Sequence, residues 1–92
     1  MKDEFFFYDP KHGGCLRNMR KIDTNTYIIN GAYGSDEGKK GYWAAIAKKN
    51  GNELTVDFTL KKKLKHKTVY KAIWKNREIH WEDGNTWKEL YA

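Results

Sequence analysis

The chain has little of several residue types, and each shortage excludes a class of protein. A single cysteine, Cys15, permits no internal disulfide, which excludes a disulfide-stapled scaffold and fits a reducing compartment. The longest apolar run, Tyr42 to Ala47, is far shorter than the roughly 20 residues of a membrane-spanning helix. The opening residues MKDEFFFY place two acids before an apolar cluster, unlike a secretion signal. We therefore expect a soluble, intracellular protein with no membrane partner.

The length predicts a single domain over residues 1–92, because two halves of this size would each have too little core to fold alone. Aromatic residues make up 15% of the chain, so the apolar material consists of few, large side chains. Such a core is typical of thin layers and small barrels.

Most of the basic excess lies in one short segment. The net charge is +6, and the stretch KKKLKHK at residues 61–67 contains five lysines and no acid. The other 85 residues carry 13 basic and 12 acidic side chains, which is close to neutral. A block of this kind can attract phosphates or an acidic protein surface.

Turn-forming residues punctuate the chain at the spacing of an antiparallel sheet. The pattern predicts an all-β protein, an antiparallel meander of seven or eight strands. Such a sheet avoids exposed edges by curling into a small closed or partly open barrel, either up-and-down or SH3-like. The predicted strands are Glu4 to Tyr8, Cys15 to Ile22, Tyr27 to Tyr33, Tyr42 to Lys49, Glu53 to Leu60, Thr68 to Lys75, Glu78 to Glu82 and Thr86 to Tyr91.

Two hairpins are predicted from local pattern. The alternation in LTVDFTL indicates a strand with one face toward solvent. The preceding Asn-Gly predicts a hairpin turn that pairs this strand with the one from Tyr42 to Lys49. Residues 66–82 are ambiguous, because their large apolar side chains also have helical spacing. A turn at Asn76-Arg77 would set Lys75 opposite Glu78 and Trp74 opposite Ile79, and these favourable cross-strand pairs favour the hairpin.

The stretch IHWEDGNTWKEL allows two registers. A two-residue loop would send Trp81 and Trp87 to opposite faces of the sheet. A three-residue loop, Glu82 to Gly84, would put both rings on one apolar face, and register normally follows such sorting. The shared face is either core or a platform at the barrel mouth. Candidate residues for an aromatic platform or pocket are Tyr42, Trp43, Trp74, Trp81 and Trp87.

The sequence predicts no catalytic residues, no metal site and no cofactor. Glu82, Asp83 and Asn85 lack the ligand ladder of a calcium loop. The only soft ligands, His12, Cys15, His66 and His80, lack the paired spacing of a zinc site, and Cys15 is more typical of a small buried hydrophobe. The glycines of GAYGSDEG join two strands, so no helix N-terminus follows to hold a phosphate.

The lysine block is either a solvated tip that maintains solubility or a loop that contacts phosphate. Its members are Lys61, Lys62, Lys63, Lys65 and Lys67, and a wider basic track could include Lys39, Lys40, Lys48, Lys49, Arg17, Arg20 and Lys21. Barrels that bind single strands combine such tracks with exposed aromatic rings. We therefore expect a non-enzymatic module that contacts nucleic acid or a nucleoprotein assembly. The alternatives are a ligand- or peptide-binding barrel with an aromatic pocket, and a homo-oligomeric structural or virion protein.

The stretch YWAAIAKKNGNELTVDF resembles the central hairpin of a Tudor or related SH3-like barrel over about a third of the chain. The resemblance implies an aromatic cage for a methylated side chain, formed by Tyr33, Tyr42 and Phe58. The stretches FYDPKHGGCLR, GAYGSDEG and WEDGNTW are similar to small proteins encoded by large DNA viruses of protists and by algae. That second resemblance implies a viral protein inside a host cell, in its cytoplasm or nucleus or in a virion, and implies no activity.

Overall fold

The protein is a closed barrel of eight antiparallel strands that follow one another in chain order. The computed structural model describes residues 3–12, 15–32, 41–58 and 68–91. The strands are β1 (Glu4–Asp9), β2 (Cys15–Asp23), β3 (Thr26–Ala32), β4 (Tyr42–Asn50), β5 (Glu53–Asp57), β6 (Val69–Lys75), β7 (Glu78–Trp81) and β8 (Thr86–Leu90). This confirms the predicted up-and-down meander. In these ranges no helix is long and apolar enough to cross a membrane.

Closure of the barrel depends on the pairing of β1 with β8. Phe6 lies opposite Leu90 and Tyr8 opposite Lys88, so neither strand has a free edge along this stretch. Eight strands enclose an interior just wide enough to be filled by side chains. The filling residues alternate along each strand, as the two-residue period requires. The buried apolar core consists of Phe7, Met19, Tyr27, Ile29, Trp43, Ala45, Ala47, Leu54, Val56, Phe58, Ala72, Ile79, Trp81 and Trp87.

The central hairpin has the predicted pairing but a different turn. Strands β4 and β5 pair in antiparallel register, with Lys49 opposite Leu54 and Asn50 opposite Glu53. The loop residues are therefore Gly51 and Asn52, one position later than the Asn-Gly pair. Gly51 has a φ of 62° and occupies the first loop position, which takes glycine in a type II′ turn.

The segment between residues 68 and 82 forms a hairpin, and the helical alternative is wrong. Trp74 lies opposite Ile79 and Lys75 opposite Glu78, as predicted. Both turn residues, Asn76 and Arg77, have positive φ values of 53° and 63°. Two left-handed residues are the mark of a type I′ turn, whose twist matches that of the flanking strands.

The turn between β7 and β8 has the three-residue loop predicted from the sorting of apolar residues. His80 lies opposite Thr86, and the backbone N–H of Trp81 donates to the Asn85 carbonyl over 2.8 Å. Gly84 supplies the left-handed residue of the loop, with a φ of 92°. Trp81 and Trp87 therefore point into the barrel together, and their ring centroids lie 4.7 Å apart.

The meander gives the barrel two different ends. We call one the turn end, because it has the two-residue turns at 24–25, 51–52 and 76–77 together with the start of β1 and the finish of β8. At the opposite loop end lie the strand ends that the four longer connections join, from β1 to β2, β3 to β4, β5 to β6 and β7 to β8. This division matters because aromatic and charged side chains gather inside both ends.

Candidate ligand-binding cavity

An open cavity of about 300 Å³ lies at the turn end of the barrel. This volume is at the lower limit of small-ligand pockets, so it suits a single ring system or another small group. Its lining comes from five strands and the β6–β7 turn: Phe5, Tyr27, Lys49, Trp74, Lys75, Asn76, Arg77 and Glu89.

Three aromatic rings form the apolar wall of the cavity. Phe5 meets Trp74 edge-on at a centroid distance of 4.9 Å, and Tyr27 meets the same ring at 5.4 Å. Edge-to-face contacts of this kind are favourable because the positive edge of one ring faces the negative face of another. The contacts fix the three rings relative to one another, which produces a preformed corner in the barrel mouth.

Charged side chains complete the lining, and cations outnumber acids. Lys49, Lys75 and Arg77 contribute three positive charges, against one negative charge from Glu89. The Glu89 side chain is only 7% exposed, and its Oε1 lies 3.8 Å from the Arg77 Nε, beyond hydrogen-bond distance. Arg77 itself is 56% exposed on the tight turn. The excess of positive charge makes the cavity mouth favourable for an anion.

Tyr27 provides a phenolic group in the same cavity. Burial raises the pKa of the Tyr27 hydroxyl above its usual value near 10, because desolvation disfavours the phenolate, and the charge of Asp3 adds to the effect. The phenol is therefore neutral at physiological pH. A neutral phenol can both donate and accept a hydrogen bond.

A buried ion pair lies inside the loop end. Asp9 and Arg17 are both almost fully buried, and the Arg17 Nη2 donates to the Asp9 Oδ2 over 3.1 Å. The other carboxylate oxygen of Asp9 accepts hydrogen bonds from the Asn85 amide at 2.9 Å and from the Lys11 backbone N–H at 3.0 Å. These bonds connect β1, β2 and the β7–β8 turn through one carboxylate.

The Arg17 guanidinium is also enclosed by indole rings. Its carbon lies 4.9 Å from the Trp43 ring centroid and 5.9 Å from that of Trp87, within the range of cation–π attraction. The Nη1 donates to the Ala32 carbonyl over 3.0 Å. Gly31 makes room for this arrangement, because a Cβ there would lie 2.5 Å from the Trp43 ring and 3.0 Å from Arg17.

The structure separates the five predicted aromatic residues into three groups. Trp43, Trp81 and Trp87 are buried inside the loop end. Trp74 lines the cavity at the turn end. Tyr42 is 88% exposed and points outward from β4. They do not form one continuous platform.

The lysine block, with Lys61, Lys62, Lys63, Lys65 and Lys67, lies outside the described residues, as do Lys39 and Lys40. The flanking residues are held together, because the Phe58 N–H donates to the Thr68 carbonyl over 2.8 Å at the loop end. Lys49 belongs to the cavity lining. The inclusion of Arg17 in the surface track is wrong: it is fully buried, because Asp9 and two indole rings compensate its charge inside the barrel.

The residues of the implied aromatic cage fall in different places. Tyr33 lies outside the described ranges. Phe58 is buried in the barrel, where its ring packs 5.6 Å from that of Trp43. Tyr42, the neighbour of Trp43 in sequence, points away from the interior, so the wall of the barrel separates the Tyr42 and Phe58 rings.

Within the described residues, no group of three or more His, Cys, Asp or Glu side chains could hold a metal ion. His80 instead lies on the outer face, with its Nε2 3.1 Å from the Glu78 carboxylate and its Nδ1 3.4 Å from the Thr86 hydroxyl. The side chains of His12 and Cys15 are outside the description, as is His66.

Sequence reasoning missed Phe5, Tyr27 and Glu89 as cavity residues. A signal for the first existed: residues 5, 7 and 9 of β1 share the inward face, so Phe5 follows the parity of Phe7. The inward position of Glu89 follows likewise from that of Trp87 two residues earlier. The sequence could not show that the rings on β1, β3 and β6 meet at one corner of the barrel.

An apolar strip runs along the outer face of β8, β1 and β2. Phe6 lies opposite Leu90, Tyr8 lies opposite Leu16, and Tyr91 packs edge-on against Phe6 at 5.8 Å. Tyr8, Leu16 and Tyr91 are each at least 40% exposed. Exposed patches of this kind often mark contacts between proteins. Homo-oligomer formation stays a prediction, and this strip is the surface on which to test it.

The geometry therefore offers one open cavity with an aromatic wall and a cationic rim in the described part of the chain. Its residues come from β1, β3, β4, β6 and β8, which only barrel closure brings together. No protein-family model matches the sequence, and neither a curated protein nor a solved structure matches the chain.

Proposed function

We propose that the protein is a non-enzymatic binding module for single-stranded nucleic acid. In this proposal one base enters the cavity at the turn end, and the neighbouring phosphates contact the cations at its rim. The observation that carries the proposal is the presence of three aromatic rings and three cationic side chains around one open cavity. Stacking rings beside a positive groove are the combination that proteins use for single strands.

The base would contact the half-buried ring of Trp74, which Phe5 and Tyr27 hold from two sides. Loss of a base-stacking ring costs about 1–3 kcal/mol of binding free energy. Because every base has an apolar face, this term discriminates little between sequences. It therefore supports a general affinity for unpaired strands.

The charge of the cavity lining selects the sign of the ligand. Three cations and one acid give an excess of two positive charges, which repels a cationic group such as a methylated lysine. The same excess attracts phosphate. If Lys49, Lys75 and Arg77 each neutralise one phosphate, the slope of log affinity against log salt is about −2 for a single strand.

The lysine block supplies a separate contact in this proposal. It connects β5 to β6, and the residues that flank it lie at the loop end of the barrel. Five lysines there would raise affinity for any polyanion without reading sequence. A strand that reached both ends would have to pass along the outside of the barrel.

The cavity contact is tested with Trp74→Ala, measured by anisotropy of a labelled single-stranded oligonucleotide. We expect the affinity to fall roughly 5- to 150-fold, the equivalent of one lost stacking contact. Ile73→Ala is the matched control, because Ile73 directly precedes Trp74 on β6 and points outward. Equal affinity of wild type and Trp74→Ala, with both proteins folded, would rule out base stacking in the cavity.

The lysine block is tested by changing Lys61, Lys62, Lys63, Lys65 and Lys67 together to glutamine. We expect weaker binding and a shallower salt dependence, while the loss caused by Trp74→Ala stays the same in this background. Binding to duplex DNA should fall as well, because a phosphate contact does not require unpaired bases. Absent or salt-independent binding by wild type would contradict the whole proposal.

A second candidate is a barrel that binds a small free anion with a planar ring. The limited volume of the cavity favours it, since about 300 Å³ holds little more than one such group. Competition distinguishes the two functions. A mononucleotide that displaces the oligonucleotide only at far higher concentration supports the polymer, and equal affinities for both support the small ligand.

A further inference from the structure

The tight turn between β6 and β7 has an arginine where its backbone conformation favours glycine. Asn76 and Arg77 both have positive φ values, of 53° and 63°. In a type I′ turn the second of these positions is usually glycine, because the Cβ of another residue lies too close to the following carbonyl oxygen. Asparagine adopts the left-handed conformation more easily, so the first position is ordinary. Arg77 therefore makes this turn less stable than glycine would.

A structural role does not account for the arginine. Its side chain is 56% exposed, so it fills no space in the core. Its Nε lies 3.8 Å from the Glu89 Oε1, too far for a hydrogen bond, and an ion pair with so exposed a partner contributes little to stability. The Arg77 carbonyl accepts a hydrogen bond from the Glu89 N–H over 2.9 Å, which any residue at position 77 could do. Unfavourable backbone conformations of this kind concentrate at functional positions.

The position of the turn gives the arginine side chain a use. Arg77 lines the cavity, and its turn begins two residues after the stacking ring of Trp74. The hydrogen bond between its carbonyl and β8 fixes the backbone from which the side chain projects. Of the three cations in the lining, Arg77 alone has a planar guanidinium that can donate two parallel hydrogen bonds to one phosphate. Lys49 and Lys75 can attract a phosphate only as point charges.

We infer that Arg77 holds the phosphate of the nucleotide whose base lies on Trp74, and that the chain keeps an arginine there at the expense of stability. This inference rests on the proposed binding of single strands. It makes one of the three cations the principal phosphate contact of the cavity. It also makes position 77 a place where binding and stability oppose each other, as is common where a strained residue serves a site.

The test measures stability and binding in one variant, Arg77→Gly. Relief of the left-handed conformation should raise the urea midpoint of unfolding above that of wild type. Loss of the guanidinium should weaken binding of a labelled single-stranded oligonucleotide roughly 10-fold. The slope of log affinity against log salt should become shallower by about 0.7, the share of one phosphate contact on a single strand. A residue with only a structural role would not change that slope.

Two further variants separate the backbone from the charge. Arg77→Lys keeps a cation on the same left-handed residue, so the urea midpoint and the salt slope should stay at their wild-type values. Its affinity should still fall, because an ammonium cannot donate the two parallel hydrogen bonds. Asn76→Gly is the matched control in the same turn. It removes no charge and relieves a position that asparagine already tolerates, so it should leave the salt slope unchanged and the midpoint nearly so.

The outcomes distinguish the inference from the function on which it rests. Unchanged affinity and salt slope in Arg77→Gly, with Trp74→Ala still weakened, would overturn the inference and leave the proposed function intact. A urea midpoint of Arg77→Gly at or below that of wild type would also overturn it, because the arginine would then not lower stability. Absence of oligonucleotide binding by wild type would overturn the proposed function, and the inference about Arg77 with it.

Discussion

The two ends of the barrel contain the same kinds of side chain in different surroundings. At the loop end, Arg17 and Asp9 are both buried and joined by a hydrogen bond of 3.1 Å, with indole rings around the cation. At the turn end, Arg77 and Glu89 are 3.8 Å apart beside an open cavity. The composition of a site does not reveal its role. The surroundings of the two pairs differ, since the first is sealed inside the barrel and the second borders an open cavity.

The loop-end pair has the geometry of a structural element. Both oxygens of Asp9 accept hydrogen bonds, and three different segments donate them. Within this ion pair, as far as the described residues go, the Arg17 Nε is the one polar atom without a hydrogen-bond partner. The guanidinium also lies near two aromatic rings. A buried pair contributes little net stability, but breaking it leaves an uncompensated charge. Changes at the loop end should therefore affect folding, and changes at the turn end should affect binding.

The largest expected effect comes from Trp87→Ala. Trp87 is buried and packs against Trp81 and Phe7, so its removal should lower the free energy of unfolding by about 5 kcal/mol. Urea denaturation followed by circular dichroism measures this. Trp74→Ala, which removes a half-buried ring at the turn end, should cost clearly less. Equal losses would erase the distinction between the two ends.

Arg17→Met should destabilise the protein by about 3 to 5 kcal/mol, because it leaves the Asp9 carboxylate buried without its cation. The double variant Arg17→Met/Asp9→Asn removes both charges and should recover part of the loss. Recovery is measured as the coupling energy of a double-mutant cycle from denaturant unfolding. A double variant less stable than Arg17→Met would show that the charge pair is not the reason for the loss.

Gly31→Ala should cost about 1–3 kcal/mol through overpacking, since its Cβ would lie 2.5 Å from the Trp43 ring and 3.0 Å from Arg17. Thermal and urea unfolding both report the change. Asn30→Ala, at the neighbouring exposed position of β3, is the control. An unchanged midpoint for Gly31→Ala would mean that the Trp43 ring can move aside.

The smallest effect concerns pH. Burial raises the pKa of the Tyr27 hydroxyl above its usual value near 10. A raised pKa means that the folded state favours the neutral phenol, so this stability is complete below about pH 10 and is lost as the pH rises further. The absorbance of tyrosinate should show one late-titrating group that is missing in Tyr27→Phe. A bound oligonucleotide should raise the pKa of the Tyr27 hydroxyl still more. If it does not, the ligand binds elsewhere.

Alternation and turn chemistry were enough to predict the strands and most hairpins. The parity of Trp81 and Trp87 followed from sorting apolar from polar residues, because a slip by one residue would expose a whole face. Phe58 is buried inside the barrel, as the alternation along its strand predicted.

The sites were harder to predict, because they depend on closure. Arg17 resembles any other basic residue in the sequence, and only the approach of Asp9, Asn85 and two indole rings makes its burial favourable. Phe5 and Glu89 likewise reach the same cavity only because β1 pairs with β8. Long-range neighbours of this kind have no local pattern.

The chain-order meander also bears on the route by which the barrel folds. Seven of the eight strand pairings join neighbours in sequence, and the pairing of β1 with β8 is the single distant one. Sequential hairpins close small loops, whereas the last pairing must bring together segments almost a whole chain apart. The cavity receives residues from both β1 and β8. It is therefore completed by the slowest pairing, and the rate at which binding appears during refolding reports the closure of the barrel.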